Sequence, residues 1–562
     1  MYLDCLVKMP NAPGKIVCQK KGETTYVYYE TDRTYDPEKR YTTPKRVTIG
    51  KRSKDDPDMI QPNENFLRFF PDEQLPEEKD RSVRSSCLRI GTFIVIRQLM
   101  KENGISDILS VYLKPKDQGL FQDLAAYSII SENNAAQYYP DYAYNHPLFT
   151  EGMTIYSDSK VSDFLNSLTA EQSAGFLNEW NSARDHRQKI YISYDSTNKN
   201  CQAGDIEMVE FGNAKDDKSL PVFNYSIAYD TNNREPLFYE KYPGSINDVS
   251  QFQFMLDKAK AYGYKKVGFI LDRGYFSKKN IEYMDQCGYS FVIMVKGMAS
   301  FIHQLITENK GSFEEEWINS ISEYGVYGKT IKRKMYASDK NDRYFHLYYN
   351  SARASSEKRE IEAKITEMKR FLMNHKNEKR TFGPAYENYF ILHYDTDGET
   401  FLFPEDKTQV VSDELKLCGY FAIVTSEKMS AKDAISLYKS RDTSEKLFRG
   451  DKSYLGNKSL RVYSDESAVS KIFIEFIALI IRCSMYTHLK DAVKKMDQKP
   501  NYMTVPAAIR ELEKIEMVRQ LDGVYRLDHA VTAKQKTILE AFGIGADHVK
   551  YRAACISEEL KR

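Results

Sequence analysis

The sequence has eight cysteines (Cys5, Cys18, Cys87, Cys201, Cys287, Cys418, Cys483 and Cys555) but no CxxC pair, and nine histidines but no HxxxH or HxH pair. The scattered cysteines speak against a zinc site and against a disulfide framework, and a reducing cytoplasm is the expected compartment. No histidine is assigned to a metal. Neither charge predominates: 81 Lys+Arg stand against 80 Asp+Glu, a formal net charge of +1. Whole-chain charge therefore gives no support to a nucleic-acid partner, and any such surface must come from local segregation. Long apolar runs are also missing. The start, MYLDCLVKMPNAPGK, lacks the apolar core of a signal peptide. The most apolar later run, Ile472 to Ile481, is interrupted by Glu475 and falls short of the ~20 residues that span a bilayer. A buried core helix is expected there, and no membrane partner. No internal repeat or low-complexity tract stands out.

What remains is an ordinary globular balance, 41% hydrophobic and 29% charged. At 562 residues the chain is longer than one hydrophobic core supports, so three or four domains or subdomains, as a rough count, are expected. Residues 24–50, TTYVYYETDRTYDPEKRYTTPKRVTIG, read as two aromatic strands around the turn at Asp36-Pro37. Lys39, Arg40, Lys45, Arg46, Lys51, Arg52 and Lys54 crowd the second half of this hairpin, interleaved with Tyr41. That composition suits phosphate contacts, and it equally suits a solvated basic edge strand. Helical spacing follows from Ser86 to Met100 and from Asp117 to Ser131. Residues 1–185 together read as an N-terminal α+β accessory region, either DNA-binding or a subunit contact.

The pattern changes at Lys189. Strands KIYISYD, LPVFNYSIAYD and PLFYEKYPG can pair as a meander, and a helix from about Asp248 to Ala261, strand KVGFILD, helix KKNIEYMDQCG and strand YSFVIMV follow. This order describes an RNase H-like α/β core, a mixed sheet with helices, over residues 186–300. Residues 301–415 leave the alternation. They carry a charged helix from about Ser355 to Asn377 and a hairpin, YFILHYDTDGETFLF, turning at Asp397-Gly398, and read as an insertion. The hairpin turn Asp395-Thr396-Asp397-Gly398 looks like the start of a calcium loop but has no Glu at the twelfth position. The core resumes over 416–495 with GYFAIVTS and a helix capped by Ser430 that is expected to run to about Phe448, and residues 496–562 form a helical C-terminal region.

Three acids stand out. Asp195 ends the strand YISYD and Asp272 ends VGFILD, both at carboxyl ends of strands, where open α/β sheets place their sites. If those strands lie side by side, the two carboxylates repel unless a cation sits between them. Hard, oxygen-ligated ions such as Mg²⁺ call for a third acid. Glu445 supplies one: Tyr438, Arg441 and Glu445 fall at i, i+3 and i+7 on one expected helical face, and Lys452 joins it if the helix continues. Carboxylate, guanidinium and phenol on one face suit a polyanionic substrate. Taken singly, each has a plainer reading, a turn residue for either Asp and a surface ion pair for Arg441 with Glu445.

As a set, these residues resemble the DDE transposases of bacterial insertion sequences, in the insertion-sequence-four superfamily. Its signature is Tyr, two residues, Arg, three residues, Glu, six residues, Lys, and Tyr438, Arg441, Glu445 and Lys452 reproduce that spacing. YDST and LDRGYFS resemble the two aspartate motifs, and the likeness extends over most of residues 186–490. The hairpin ending PKRVTIGK resembles N-terminal regions of one branch.

The resemblance implies that Asp195, Asp272 and Glu445 hold two Mg²⁺ or Mn²⁺ ions, with Asp195 shared, and that Tyr438, Arg441 and Lys452 contact transposon-end DNA. It implies hydrolysis at the element's 3′ ends, then attack of the 3′-hydroxyl on target DNA. Many members pass through a hairpin intermediate. Terminal inverted repeats and target DNA would be the partners, and a homodimer in the synapse the acting species. In the general two-metal scheme one ion generates the nucleophile and the other stabilises the leaving oxygen. Two other readings stay open: a nuclease or phosphatase that cuts without strand transfer, and a decayed copy that binds DNA without cutting. Trp317 is expected to be packed; the alternative is stacking on an extruded base, as an aromatic does in related enzymes.

Overall fold

The computed structural model describes all residues except 1, 4, 23, 38–39, 54–55, 74–83, 186–187, 202, 204–205, 213, 215–216, 247, 296–297, 397, 443–454, 456–458, 499 and 562. Two compact units, Met1–Ser86 and Cys87–Arg562, are each considered by themselves.

In the first unit the strands β1 (Val7–Lys8), β2 (Ile16–Lys21), β3 (Thr24–Asp36), β4 (Tyr41–Arg52) and β5 (Met59–Pro62) form an antiparallel sheet in the order β1-β5-β4-β3-β2. The expected hairpin is therefore present, as β3 and β4. Alternation puts Val27, Ile49 and Ile60 on one face, where they meet Phe66 and Phe70 from the short helix Glu64–Phe69 and its C-terminal end. The Asn63 side chain starts that helix by accepting from the backbone N–H groups of Asn65 and Phe66.

In the second unit, nine strands among the described residues form one mixed sheet. They are β7 (Ile190–Asn200), β8 (Val222–Asp230), β9 (Glu235–Pro243), β10 (Val267–Leu271), β11 (Ser290–Met294), β12 (Ser320–Ile321), β13 (Val326–Arg333), β14 (Arg343–Tyr349) and β17 (Tyr420–Thr425), in the order β12-β13-β14-β17-β11-β10-β7-β8-β9. β7, β8 and β9 make an antiparallel meander, while β10 runs parallel to both β7 and β11. The crossover helices are Asp248–Ala261 and Lys278–Gln286, and the first begins and ends where the sequence predicts.

Residues 301–415, set apart by the sequence pattern, divide in two. β12 to β14 join the main sheet through β17, whereas the helix Ser351–Asn374 and the hairpin β15 (Phe390–Tyr394) and β16 (Phe401–Asp406) close a small cluster of their own around Leu372, Phe390 and Phe401. The hairpin reading of Asp395 to Gly398 agrees with Gly398, whose φ of 69° is the left-handed turn conformation and whose N–H donates to the Asp395 carbonyl; Asp397 lies outside the described residues.

Through the middle of the second unit runs the helix Asp465–Val493, with Ile472 to Ile481 buried as expected. It packs against Pro115–Ser131, Asp158–Ser167 and Val505–Leu512, and on the sheet its Phe476 ring lies 4.9 Å from that of Tyr239. A short sheet of β6 (Cys87–Arg89), β18 (Glu516–Arg519) and β19 (Tyr525–Leu527) ties the start of this unit to its end. None of the described helices is long and apolar enough to cross a membrane.

Candidate active site

β7 and β10 are parallel and in register, with Ile270 opposite Ser193 and Leu271 opposite Tyr194. The next residue along each chain is an aspartate, so Asp195 and Asp272 stand at the same level, on neighbours ~4.8 Å apart in the hydrogen-bonding direction. The strands differ beyond this point. β10 ends in a 3-10 turn, Arg273–Tyr275, which the Asp272 carboxylate caps by accepting the Arg273 N–H at 2.7 Å. β7 continues to Asn200, and the Asp195 carboxylate accepts the Ser196 N–H at 2.9 Å. Both aspartates are partly exposed.

Alternation decides which face they share. Tyr194 points to the helix Asp248–Ala261, its ring 5.7 Å from Phe252. Its neighbours Ser193 and Asp195 therefore face the other way, as does Ile270, which packs with Ile435 and Tyr438 of the helix Ala431–Lys439. The same face farther along β7 carries Lys199, fully buried, whose Nζ is 2.7 Å from Glu475 Oε2 of the central helix and 4.7 Å from the centre of the Tyr225 ring. Asn134 Nδ2 donates to the other Glu475 oxygen at 3.4 Å. Lys471, one turn before Glu475, donates to the Arg461 carbonyl, and burial pushes its ammonium pKa down to about 8. These polar groups pin the site-bearing strand to the central helix.

The helix opened by Ser430 leads to a cation beside Asp272. Ser430 caps it through the Asp433 N–H, as the sequence indicates; the regular helix ends at Lys439 with Ser440 at its C-cap, and of the expected continuation to about Phe448 residues 443–448 lie outside the described residues. Ser440 and Arg441 both make short-range turn bonds, to Leu437 and Tyr438, which tighten this end. Tyr438 is buried, with the Arg441 guanidinium 5.5 Å over its ring. Arg441, only 12% exposed, holds Nη1 3.7 Å from Asp272 Oδ1. Glu445 and Lys452 lie outside the described residues. Among the described residues no three His, Cys, Asp or Glu side chains form a metal-sized group. The two carboxylates that do converge are hard oxygen donors of the kind Mg²⁺ and Mn²⁺ take.

Asp230 is a carboxylate that the same sheet uses differently. It sits opposite Ile192, and it accepts N–H groups of Asn232 and Asn233 in the β8–β9 turn while burial raises its pKa.

Residues 192–481, just over half of the chain, match the transposase DDE domain. The chain belongs to that family. The matched segment contains Asp195, Asp272, Tyr438, Arg441, Glu445 and Lys452 and ends inside the central helix of this transposase. Among solved structures, a piggyBac transposase synaptic complex with hairpin DNA, seen by cryo-electron microscopy, is similar at a TM-score of 0.36 and 8% identity over 75% of this chain and 77% of that one. No curated protein matches.

Sequence reasoning misjudged Trp317. It is not packed: Trp317 and Ile318 are 86% and 88% exposed, on the 3-10 turn Trp317–Asn319. The turn is too short to bury a side chain of its own, and only Ile321 beyond it reaches the core.

Proposed function

We propose that the chain is a cut-and-paste transposase of the insertion-sequence-four superfamily, with the Tyr-Arg-Glu-Lys signature at Tyr438, Arg441, Glu445 and Lys452. In this reading residues 186–300 and 416–495 form an RNase H-like core and 301–415 an insertion. Residues 1–185 bind transposon ends, and residues 496–562 complete the fold. The observation that carries it is the register of β7 and β10, which sets Asp195 and Asp272 at one level on one face, with Arg441 beside Asp272.

Asp195, Asp272 and Glu445 would hold two divalent ions, Mg²⁺ or Mn²⁺, with Asp195 shared. Bound there, such ions supply an activated nucleophile and charge stabilisation at the leaving oxygen. The chain's own residues do the rest. Arg441 pairs with Asp272 and contacts the phosphate through its guanidinium, a planar fork that matches phosphate oxygens. Tyr438, beneath Arg441, orients the guanidinium toward the DNA, and Lys452 adds a second cation along the strand to be cut. The Lys199–Glu475 pair keeps Asp195 at its level by holding β7 against the central helix. The substrates would be terminal inverted repeats and target DNA, bound by a homodimer. Eight free thiols accord with a reducing cytoplasm.

The test is end cleavage and strand transfer. Purified protein is incubated with a duplex carrying the flanking terminal repeats and Mg²⁺ or Mn²⁺, beside Asp195→Ala, Asp272→Ala and Glu445→Ala. Metal-dependent cleavage followed by joining of the 3′-hydroxyl end, lost in all three variants, is the expected result. Cleavage that survives one substitution removes that residue from the site. Cleavage without joining makes the protein a nuclease, and binding without cleavage makes it a decayed copy.

A further inference from the structure

The hairpin β3–β4 is much longer than the sheet it belongs to. β2 covers β3 only from Thr24 to Tyr29, and β5 covers β4 only from Gly50 to Arg52. Beyond Glu30 the two strands pair with each other alone, from Asp32 opposite Lys45 to Asp36 opposite Tyr41. The burial pattern changes at the same place. Thr31 to Tyr35 are exposed, as are Tyr41, Thr42, Pro44, Lys45 and Arg46, so both faces of this two-stranded arm are open.

The junction is built. A register shift between Glu30 and Asp32 leaves Thr31 as an extra residue, a bulge that bends the ribbon and increases its twist where it leaves the core. Glu30, buried there, receives the Arg33 guanidinium at 2.6 Å and that of Arg46 at 3.5 Å. Its carboxyl is held below the ordinary range, first by the bond from Arg33. The arm is therefore braced at its base and free along its length.

We infer that this arm is a β-ribbon that enters the major groove of duplex DNA. The inference rests on the transposase reading above. It adds a contact outside the segment that matches the family, which begins at residue 192. A two-stranded ribbon fits a groove about 12 Å wide and about 8.5 Å deep. The four registered steps from Asp32 to Asp36 span about 14 Å, enough to follow the groove past several base pairs. Its side chains have the required chemistry. Five Lys or Arg stand against three Asp or Glu between residues 31 and 46, and Arg33 is 62% exposed although Glu30 takes its Nε. Tyr35 and Tyr41, 60% and 53% exposed, put two aromatic rings near the tip. Thr34 and Thr42 add hydroxyls that can meet base edges or phosphates. Addition of a strand from a second copy, the other use of an open ribbon, is opposed by Pro44, which has no N–H to give to a neighbouring strand.

The test uses the full chain and two variants, Arg33→Gln/Tyr35→Ser/Lys45→Gln and Tyr35→Ser/Lys45→Gln, the second leaving the Glu30 clamp intact. Binding to a fluorescent duplex is followed by anisotropy across a salt series, and dimethyl sulfate protection reads guanine N7 in the major groove. The expected result for both variants is affinity weaker by about tenfold or more, with a salt slope shallower by about 1 to 2 and loss of N7 protection. Parental affinity, slope and protection in both variants overturn the inference and leave the transposase intact, and so does a change from dimer to monomer with DNA binding unaltered. A parent chain that neither binds nor cuts DNA overturns both.

Discussion

Arg441 Nη1 lies 3.7 Å from Asp272 Oδ1, so a guanidinium stands beside a proposed metal ligand. It partly neutralises that carboxylate before any metal or phosphate arrives. Arg441→Ala should lower the rate of end cleavage at saturating DNA by about 10²-fold or more, the effect typical of removing one group that stabilises developing charge. Arg441→Lys should recover only part, because an ammonium keeps the charge without the fork. An equal rate in Arg441→Ala would show that the ion pair is structural.

The nature of the metal site can be read through sulfur. In Asp272→Cys a hard oxygen donor is replaced by a soft thiolate, which Mg²⁺ accepts poorly and Mn²⁺ accepts better. Cleavage should be lost in Mg²⁺ and partly restored in Mn²⁺. The same loss in both ions would argue against direct ligation by residue 272.

The buried pair Lys199 and Glu475 should behave asymmetrically on mutation. Glu475→Ala leaves a buried ammonium facing Tyr225 and no carboxylate, at a cost of about 3–5 kcal/mol. The double substitution Lys199→Met/Glu475→Leu should recover part of that loss, since the charge of Lys199 is gone while the buried Lys471 still lacks its carboxylate neighbour. Urea denaturation of the three proteins measures both values. A double variant as unstable as Glu475→Ala would show that the pair carries more than charge balance.

His346, on β14, predicts a pH dependence. Its Nε2 is 3.0 Å from Thr425 Oγ1, whose own proton goes to the Glu427 carbonyl, so Nε2 must donate and Nδ1 accepts from Thr330. Burial pushes its pKa down to about 4 from an ordinary 6.5. The unfolded chain therefore takes up this proton before the folded one does. Stability from this residue is complete above about pH 6.5 and is lost as pH falls toward 4, by a total on the order of 3 kcal/mol. Denaturation midpoints from pH 7.5 to 4.5 should decline less steeply in His346→Gln than in the parent.

The same strand shows why part of the fold was not legible. RYFHLYY carries Arg343 and His346, which look like surface residues, yet both are buried, Arg343 beside Asp285 and His346 between two threonines. Polar partners that arrive from distant sequence disguised a central strand as part of an insertion. The meander β7–β9 and the parallel β10 were legible because their runs are apolar and bounded by clear turns. Asp272 follows its strand as the sequence indicates, whereas Asp195 lies inside β7, because the polar run after it, STNKN, goes on pairing with β8 as far as Asn200. The turn at Ser440 and Arg441 was not legible, because neither residue breaks a helix and the irregularity is a matter of how their N–H groups fold back on Leu437 and Tyr438. Trp317 failed for a similar reason: apolarity alone does not bury a side chain on a three-residue turn.

The order of strands has a consequence in time. β17 completes the sheet between β11 and β14, and the residues that follow it bring Arg441 and then Glu475 to strands already made. A chain still emerging from the ribosome can thus pair the two strands that carry the aspartates while lacking the cation beside Asp272 and the counter-charge for Lys199. Both fall after about three quarters of the sequence, so a product terminated before residue 441 would own the two aspartates without the cation beside Asp272 or the counter-charge for Lys199.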